Sequence, residues 1–187
     1  VSTDSEDIAE VSRQYGAWVP FLRPTNLATD SAKAIPVIQH ALRFVEEQEG
    51  MTYDAVMMLQ PTTPFRTGED IDKALKLLER TGADSVISVV DAGAHHPARM
   101  KYLEGNRLID PPYCEAYENQ PRQELRPMYL RNGAVYLTRR NVLLRNSFKG
   151  SDCCALIMPE ERSVNIDTPL DFDYAEWIWQ KLLVVSD

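Results

Sequence analysis

An α/β fold built on a mostly parallel sheet is what this sequence predicts, and two observations predict it. Apolar runs rich in β-branched residues, YDAVMMLQ, DSVISVV, LRNGAVYLT and CALIMP, alternate with segments of helical period nearly from end to end. With 187 residues, 44% of them hydrophobic, the chain can bury one core without disulfide or metal support. No glycine-rich phosphate cradle occurs, because the eight glycines are scattered singly. A single domain over residues 1–187 is expected.

The elements follow in order. Residues 5–15 read as a helix, capped by Thr3 or Asp4, with Ile8, Ala9, Val11 and Ser12 toward the core. AWVPFLR suggests a short strand. A helix then runs to about Glu49, placing Ile35, Ile38, Ala41, Leu42 and Val45 on one face and Pro36 in its first turn. YDAVMMLQ is a buried strand ending at Gln60, and Thr67 with Asp70 has capping-box spacing for a helix to about Arg80. DSVISVV is the next strand. Prolines and tyrosines break the pattern over residues 91–128, so short strands and loops are expected there, an excursion of the functional kind. LRNGAVYLT returns to strand, TRRNVLLRNS gives a short helix, CALIMP a strand, and Pro169 to about Val184 the closing helix.

Charge and composition exclude several classes. The formal charge is −8, which argues against a nucleic-acid binder relying on bulk positive charge. No apolar run approaches the roughly 18 residues of a membrane span. Cys114, Cys153 and Cys154 have neither disulfide-framework nor zinc-ligand spacing, which points to a reducing cytoplasm. The chain shows no signal peptide and begins at Val1 without an initiator methionine, so an upstream segment is expected.

Open α/β sheets bind ligands beyond the carboxyl ends of their strands, which directs attention to four places. In SVNIDTPLDFDYAE, alternation puts Asn165 and Asp167 on one face, while Thr168, Pro169 and Asp171 make a helix cap. The cap accounts for Thr168 and Asp171. Asp167 is left to hold a metal or to make a structural hydrogen bond, and Asp173 and Glu176 read as solvated helix charges. Two prolines flank the amide end of MLQPTTPFR, a stiff turn that either presents Gln60 and Thr62 to a ligand or simply reverses the chain. Arg23 lies just beyond a strand, where its fork could grip phosphate or a base carbonyl, or form a surface ion pair. Between Gln120 and Gly150 stand Arg122, Arg126, Arg131, Arg139, Arg140, Arg145 and Lys149 against the single acid Glu124, an asymmetry that marks an anion site. Arg139, Arg140 and Arg145 fall on a predicted helix and read as solvated, leaving Arg122 and Arg131 as the candidates. His95 and His96 are neighbours that cannot readily share one metal, so sugar hydrogen bonding is the role open to His96. No Gly-x-Ser-x-Gly elbow or nucleophilic cysteine setting supports a hydrolase.

Taken in order, VSTDSEDIAEVSRQYGAWVPFLRPTNLATD, LQPTTPFRT, HHP, QPRQEL, RNGAVYLT and VNIDTPLDF resemble the CMP-N-acylneuraminate cytidylyltransferases over essentially the whole chain. The resemblance implies a Rossmann-like sheet with helices on both faces and a small dimerisation excursion. It implies transfer of CMP from CTP to a nine-carbon 2-keto sugar acid, with Mg²⁺ and release of pyrophosphate, in a cytoplasmic homodimer serving surface-glycan synthesis. An octulosonic acid acceptor, or a truncated non-catalytic dimerising module, is the alternative. By the family pattern Asp167 and Asn165 would hold the metal, Gln60 the sugar, and Arg23 the nucleotide. Arg122, Arg131, Asn132 and His96 would meet the acidic sugar or the phosphates, with Arg122 and Asp167 as the catalytic pair. Asn165 stands where the family usually has a second aspartate, which weakens cation binding there. The family's opening strand and basic, glycine-containing loop have no counterpart, so the resemblance implies part of a longer enzyme or a chain without full turnover.

Overall fold

The computed structural model describes residues 1–184 of the chain. Two compact units emerge from the pattern of contacts among the described residues, one from residues 1–58, 77–86 and 136–154, the other from residues 59–76, 87–135 and 155–184. Six strands and five α-helices are formed among the described residues. Four strands, β1 (Ala55–Met58), β2 (Ser85–Asp91), β5 (Tyr129–Arg139) and β6 (Cys153–Ile157), make a mixed sheet in the order β1-β5-β2-β6. β1 pairs antiparallel with β5, Ala55 opposite Arg139 and Met58 opposite Tyr136. The central position of β5 and β2 suits their sequences: β2 is buried along Ser85 to Val89, and β5 along Asn132 to Val135.

In the first unit, α1 (Glu6–Gln14) is capped by the Ser5 hydroxyl, which accepts from Ile8 N, and not by Thr3 or Asp4. Only Ala9 of its expected core residues is buried, whereas Ile8 and Val11 remain exposed. AWVPFLR forms no strand. Its one sheet-like contact is an isolated parallel bridge between Thr3 and Leu22, because Pro20 removes an amide that a ladder would need. The helix α2 (Ala34–Glu49) ends on Gly50 in the left-handed conformation, φ 66°. The short α4 (Arg140–Leu144) buries Val142 and Leu143.

Arg139 and Arg140, expected to be solvated, are instead partnered, whereas Arg145 is exposed as expected. Arg140 grips Glu46 through Nε and Nη2, at 2.6 and 2.9 Å, and this fork holds the Glu46 carboxyl below its ordinary range. Arg139 donates to the carbonyls of Ala83 and Leu78. Asp84 accepts from Ser151 N, Ser151 Oγ and Asp152 N, bonds that lower its pKa. Gly150, at φ +68°, makes room for this: a Cβ there would lie 2.4 Å from the Asp84 carboxylate.

The helix α3 (Gly68–Thr81), whose start lies in the second unit, begins on the expected capping box. Asp70 Oδ2 accepts from Thr67 N and Thr67 Oγ1, and Thr67 Oγ1 in turn accepts from Asp70 N. The excursion contains 3₁₀ turns and one antiparallel hairpin, β3 (Tyr102–Glu104) with β4 (Arg107–Ile109), exposed at every residue. The closing helix α5 (Pro169–Val184) turns Ala175 and Ile178 inward to pack with Val164, flanked by Phe65, Ile166 and Leu182.

Candidate functional site

Three segments of the second unit interlock at the place the sequence singled out. The loop after β1 carries Gln60-Pro61-Thr62-Thr63, β5 carries Asn132-Gly133, and the loop before α5 carries Ser163 to Asp167. The backbone joins two of them directly, since Ile166 N donates to Thr62 O at 2.8 Å. Asn132 ties the other pair: its Nδ2 donates to Ser163 Oγ at 2.8 Å, and its Oδ1 accepts from Ser88 Oγ at 2.6 Å and from Ala134 N at 3.2 Å. Val135 N closes the network on Ser88 Oγ. A buried amide so fully engaged is a structural keystone, so the expected contact of Asn132 with sugar or phosphate has no free donor or acceptor behind it.

Gln60 is different. Its half-buried side chain lies against β5 where Gly133 adopts φ +80°, and a Cβ on that glycine would stand 2.5 Å from Gln60 Oε1 and 3.5 Å from Thr63 Oγ1. Only glycine admits both the conformation and the amide. Arg66 holds the turn from beneath, its Nη1 donating to Gln60 O at 2.8 Å and to Thr63 O at 2.7 Å. Burial lowers the pKa of that guanidinium from its ordinary value.

At the other tip, Asp167 and Asn165 are both exposed and do share a face, the Asn165 amide donating to an Asp167 carboxylate oxygen. Asp171 shapes this tip as well as capping α5. Its Oδ2 accepts from Thr168 Oγ1 and Thr168 N, both at 2.8 Å, and from Asp167 N at 3.1 Å. The Thr168 hydroxyl first, then the two backbone amides, hold the Asp171 carboxyl below its ordinary range. No group of three or more His, Cys, Asp or Glu side chains converges to hold a metal among the described residues. One carboxylate and one amide oxygen, both on exposed residues, nevertheless suit an ion that takes few protein ligands and fills its shell with phosphate and water, as Mg²⁺ does.

The remaining candidates divide. Arg122 is exposed and faces Asp91 at 3.7 Å, lining a cavity of about 370 Å³ with Leu125, Pro127 and Met128. The exposed Arg131 side chain makes no hydrogen bond or ion pair among the described residues. His96 is buried and spent: Nδ1 accepts from Ala98 N at 3.1 Å, so Nε2 is the donor to Arg126 O at 2.9 Å. Neither ring nitrogen is left for a sugar. Arg23 belongs to the first unit and turns back on Ser2, Nε reaching Ser2 Oγ at 3.2 Å and Nη2 its carbonyl.

Sequence reasoning passed over Arg66, Ser88, Gly133, Ser163 and the Arg162–Asp70 pair. Arg162 Nη2 donates to Asp70 Oδ1 at 2.8 Å, fastening the start of α3 to the segment leading into the Asn165 tip. Among these, only Gly133 carried a readable signal, a glycine inside an otherwise strand-forming run.

No protein-family model matches the sequence. Curated proteins do. CMP-N,N'-diacetyllegionaminic acid synthase of Legionella pneumophila subsp. pneumophila is 35% identical over 179 residues, covering 94% of this chain and 75% of that protein. The chain belongs to the CMP-N-acylneuraminate cytidylyltransferase family. Post-translational flagellin modification protein B of Campylobacter coli is 30% identical, with 95% of this chain and 75% of that protein covered. N-acylneuraminate cytidylyltransferase of Escherichia coli O18:K1:H7 is 31% identical over 185 residues, which span 97% of this chain and 42% of that enzyme. Among solved structures, a CMP:2-keto-3-deoxy-manno-octonic acid synthetase complexed with CTP superposes with a TM-score of 0.64 at 15% identity, over 97% of this chain and 80% of that one. That likeness supports the fold. Membership of the cytidylyltransferase family makes this chain a nucleotidyltransferase, and no described helix is long and apolar enough to cross a membrane.

Proposed function

We propose that this protein transfers CMP from CTP to the anomeric hydroxyl of a nine-carbon 2-keto sugar acid of the sialic or legionaminic type. The observation that carries this reading is the 35% identity to a CMP-N,N'-diacetyllegionaminic acid synthase across 94% of the chain. The hydroxyl oxygen would attack the α-phosphorus as its proton passes to water, the bond from that phosphorus to the oxygen bridging to the β-phosphate would break, and pyrophosphate would leave. Asp167 and Asn165 would hold Mg²⁺ at their exposed tip; when bound, the ion offsets negative charge on the triphosphate.

The chain's own residues would do the orienting. Gln60, seated on Gly133, offers both a donor and an acceptor to sugar hydroxyls. Arg122, weakly held by Asp91 and open to a cavity of small-ligand size, is placed to meet the sugar carboxylate. Arg131 has no competing partner among the described residues and would serve the phosphates, while Arg23 would reach the nucleotide only by exchanging Ser2 for it. The exposed apolar hairpin, with Leu103 at 71% and Leu108 at 72% exposure, supports pairing of two copies through the excursion. Three unpaired cysteines fit work in a reducing cytoplasm.

The test mixes the full-length gene product with CTP, Mg²⁺ and either N-acetylneuraminic or N,N'-diacetyllegionaminic acid, and follows pyrophosphate. Release with one or both acids and none without an acid is expected. Failure with every nine-carbon acid, alongside turnover of an octulosonic acid, would move the assignment to that substrate class.

A further inference from the structure

The turn that carries Gln60 cannot hold itself. Its internal bonds, Thr63 N and Thr63 Oγ1 each to Gln60 O, are both 3.4 Å long, at the weak limit of hydrogen bonding. Pro61 and Pro64 fix two φ angles but supply no donors. The short side-chain contacts come from one guanidinium: the two N–H groups of Arg66 Nη1 go to the carbonyls at the two ends of the turn, 2.8 and 2.7 Å away, while Ile166 N takes the carbonyl of Thr62 between them. Thr63, fully buried, anchors the same turn from within. On the opposite side the Gln60 amide rests where Gly133 has no side chain.

We propose that Arg66 is a positioning residue whose guanidinium sets the turn from which Gln60 reaches the sugar acid, with the bare Cα of Gly133 as the seat of that amide. The inference rests on the proposed contact between Gln60 and the acceptor. Arg66 touches no substrate in this scheme. Its first effect is on the acceptor, because the two carbonyls it holds, of Gln60 and Thr63, belong to the turn that carries Gln60 and neither lies at the Asp167 tip. A planar fork suits the task better than an ammonium, since two donors on one nitrogen are held at a fixed angle to two acceptors.

The test uses the full-length protein with Arg66→Met, Arg66→Lys, Gln60→Ala and the Arg66→Met/Gln60→Ala double variant. For Arg66→Met, the KM for the sugar acid should rise about tenfold or more while that for CTP stays within about twofold, as expected when a group is displaced by a fraction of an ångström. Lysine should recover part of the loss. The double variant should be no worse than Gln60→Ala, because the arginine works through the glutamine. Independently of turnover, the side-chain amide resonances of Gln60 should shift or broaden in Arg66→Met. Losses that multiply in the double variant, KM values that rise together for both substrates, or unmoved Gln60 resonances would overturn the role of Arg66. If the wild-type protein turns over no sugar acid, the functional reading fails and the resonances alone decide the clamp. Should Arg66→Met not fold, Arg66→Lys carries the same readouts.

Discussion

Two threonine-aspartate boxes stand at the starts of α3 and α5, the same spacing used for two purposes. At α3, Asp70 is 2% exposed and, besides capping, takes Arg162 at 2.8 Å. At α5, Asp171 lies nearer the surface, has no cation, and spends its extra capacity on the amide of Asp167. The first is a fastening inside the fold; the second aims an exposed carboxylate. Local sequence fixes that a cap forms, and the surroundings decide what the cap does.

Breaking the buried box should cost most. Asp70→Asn leaves Arg162 without its counter-charge, and a loss of about 3 kcal/mol is expected in urea unfolding, the low end for a broken buried pair because Arg162 keeps some access to water. Asp171→Ala should lower the melting temperature by only about 2–4 °C, in the range of a lost cap. Its larger effect should be on Mg²⁺-dependent turnover, read as a rise in the Mg²⁺ concentration giving half-maximal rate, since Asp167 N loses its acceptor. Removing Arg122 should leave stability within about 0.5 kcal/mol, as its contact with Asp91 is long and exposed, while raising the KM for the sugar acid.

Acid should separate the boxes too. At Asp70, burial pushes the carboxyl up, but the Thr67 amide and hydroxyl and the Arg162 guanidinium outweigh it, and the net direction is down. The Asp171 carboxyl is also lowered. A folded pKa below the unfolded one gives stability that is complete above the ordinary carboxylate range and is lost as pH falls through the lowered value. Unfolding followed from pH 7 downward should therefore show a steep acid limb in the wild type that flattens in Asp70→Asn. An unchanged limb would mean that Asp70 is not a principal acid-sensitive group.

Much of this was legible beforehand. β-branched runs located β1, β2, β5 and β6, and both boxes were read from spacing, because caps and strand periodicity are local. AWVPFLR misled because its composition is strand-like while Pro20 and the lack of a ladder partner are decisive. His96 and Asn132 were read as substrate contacts, yet both are engaged by partners distant in the chain, Arg126 with His96, and Ser88 and Ser163 with Asn132. Arg66 and Arg162 went unnoticed for the same reason. An arginine's partners are set by tertiary packing, and nothing within a few residues of it announces them. Asn165 and Asp167 came out side by side as expected, although residues 163–167 form an extended loop and not a strand, and the Asn165–Asp167 hydrogen bond joins them there.

The bond from Ile166 N to Thr62 O links the sugar-side loop to the metal-side loop through main chain only. A change of the Thr62 side chain leaves that coupling untouched, whereas Ile166 is also held by its packing against the core beneath α5. Proline in place of Ile166 is the substitution that would uncouple the two loops.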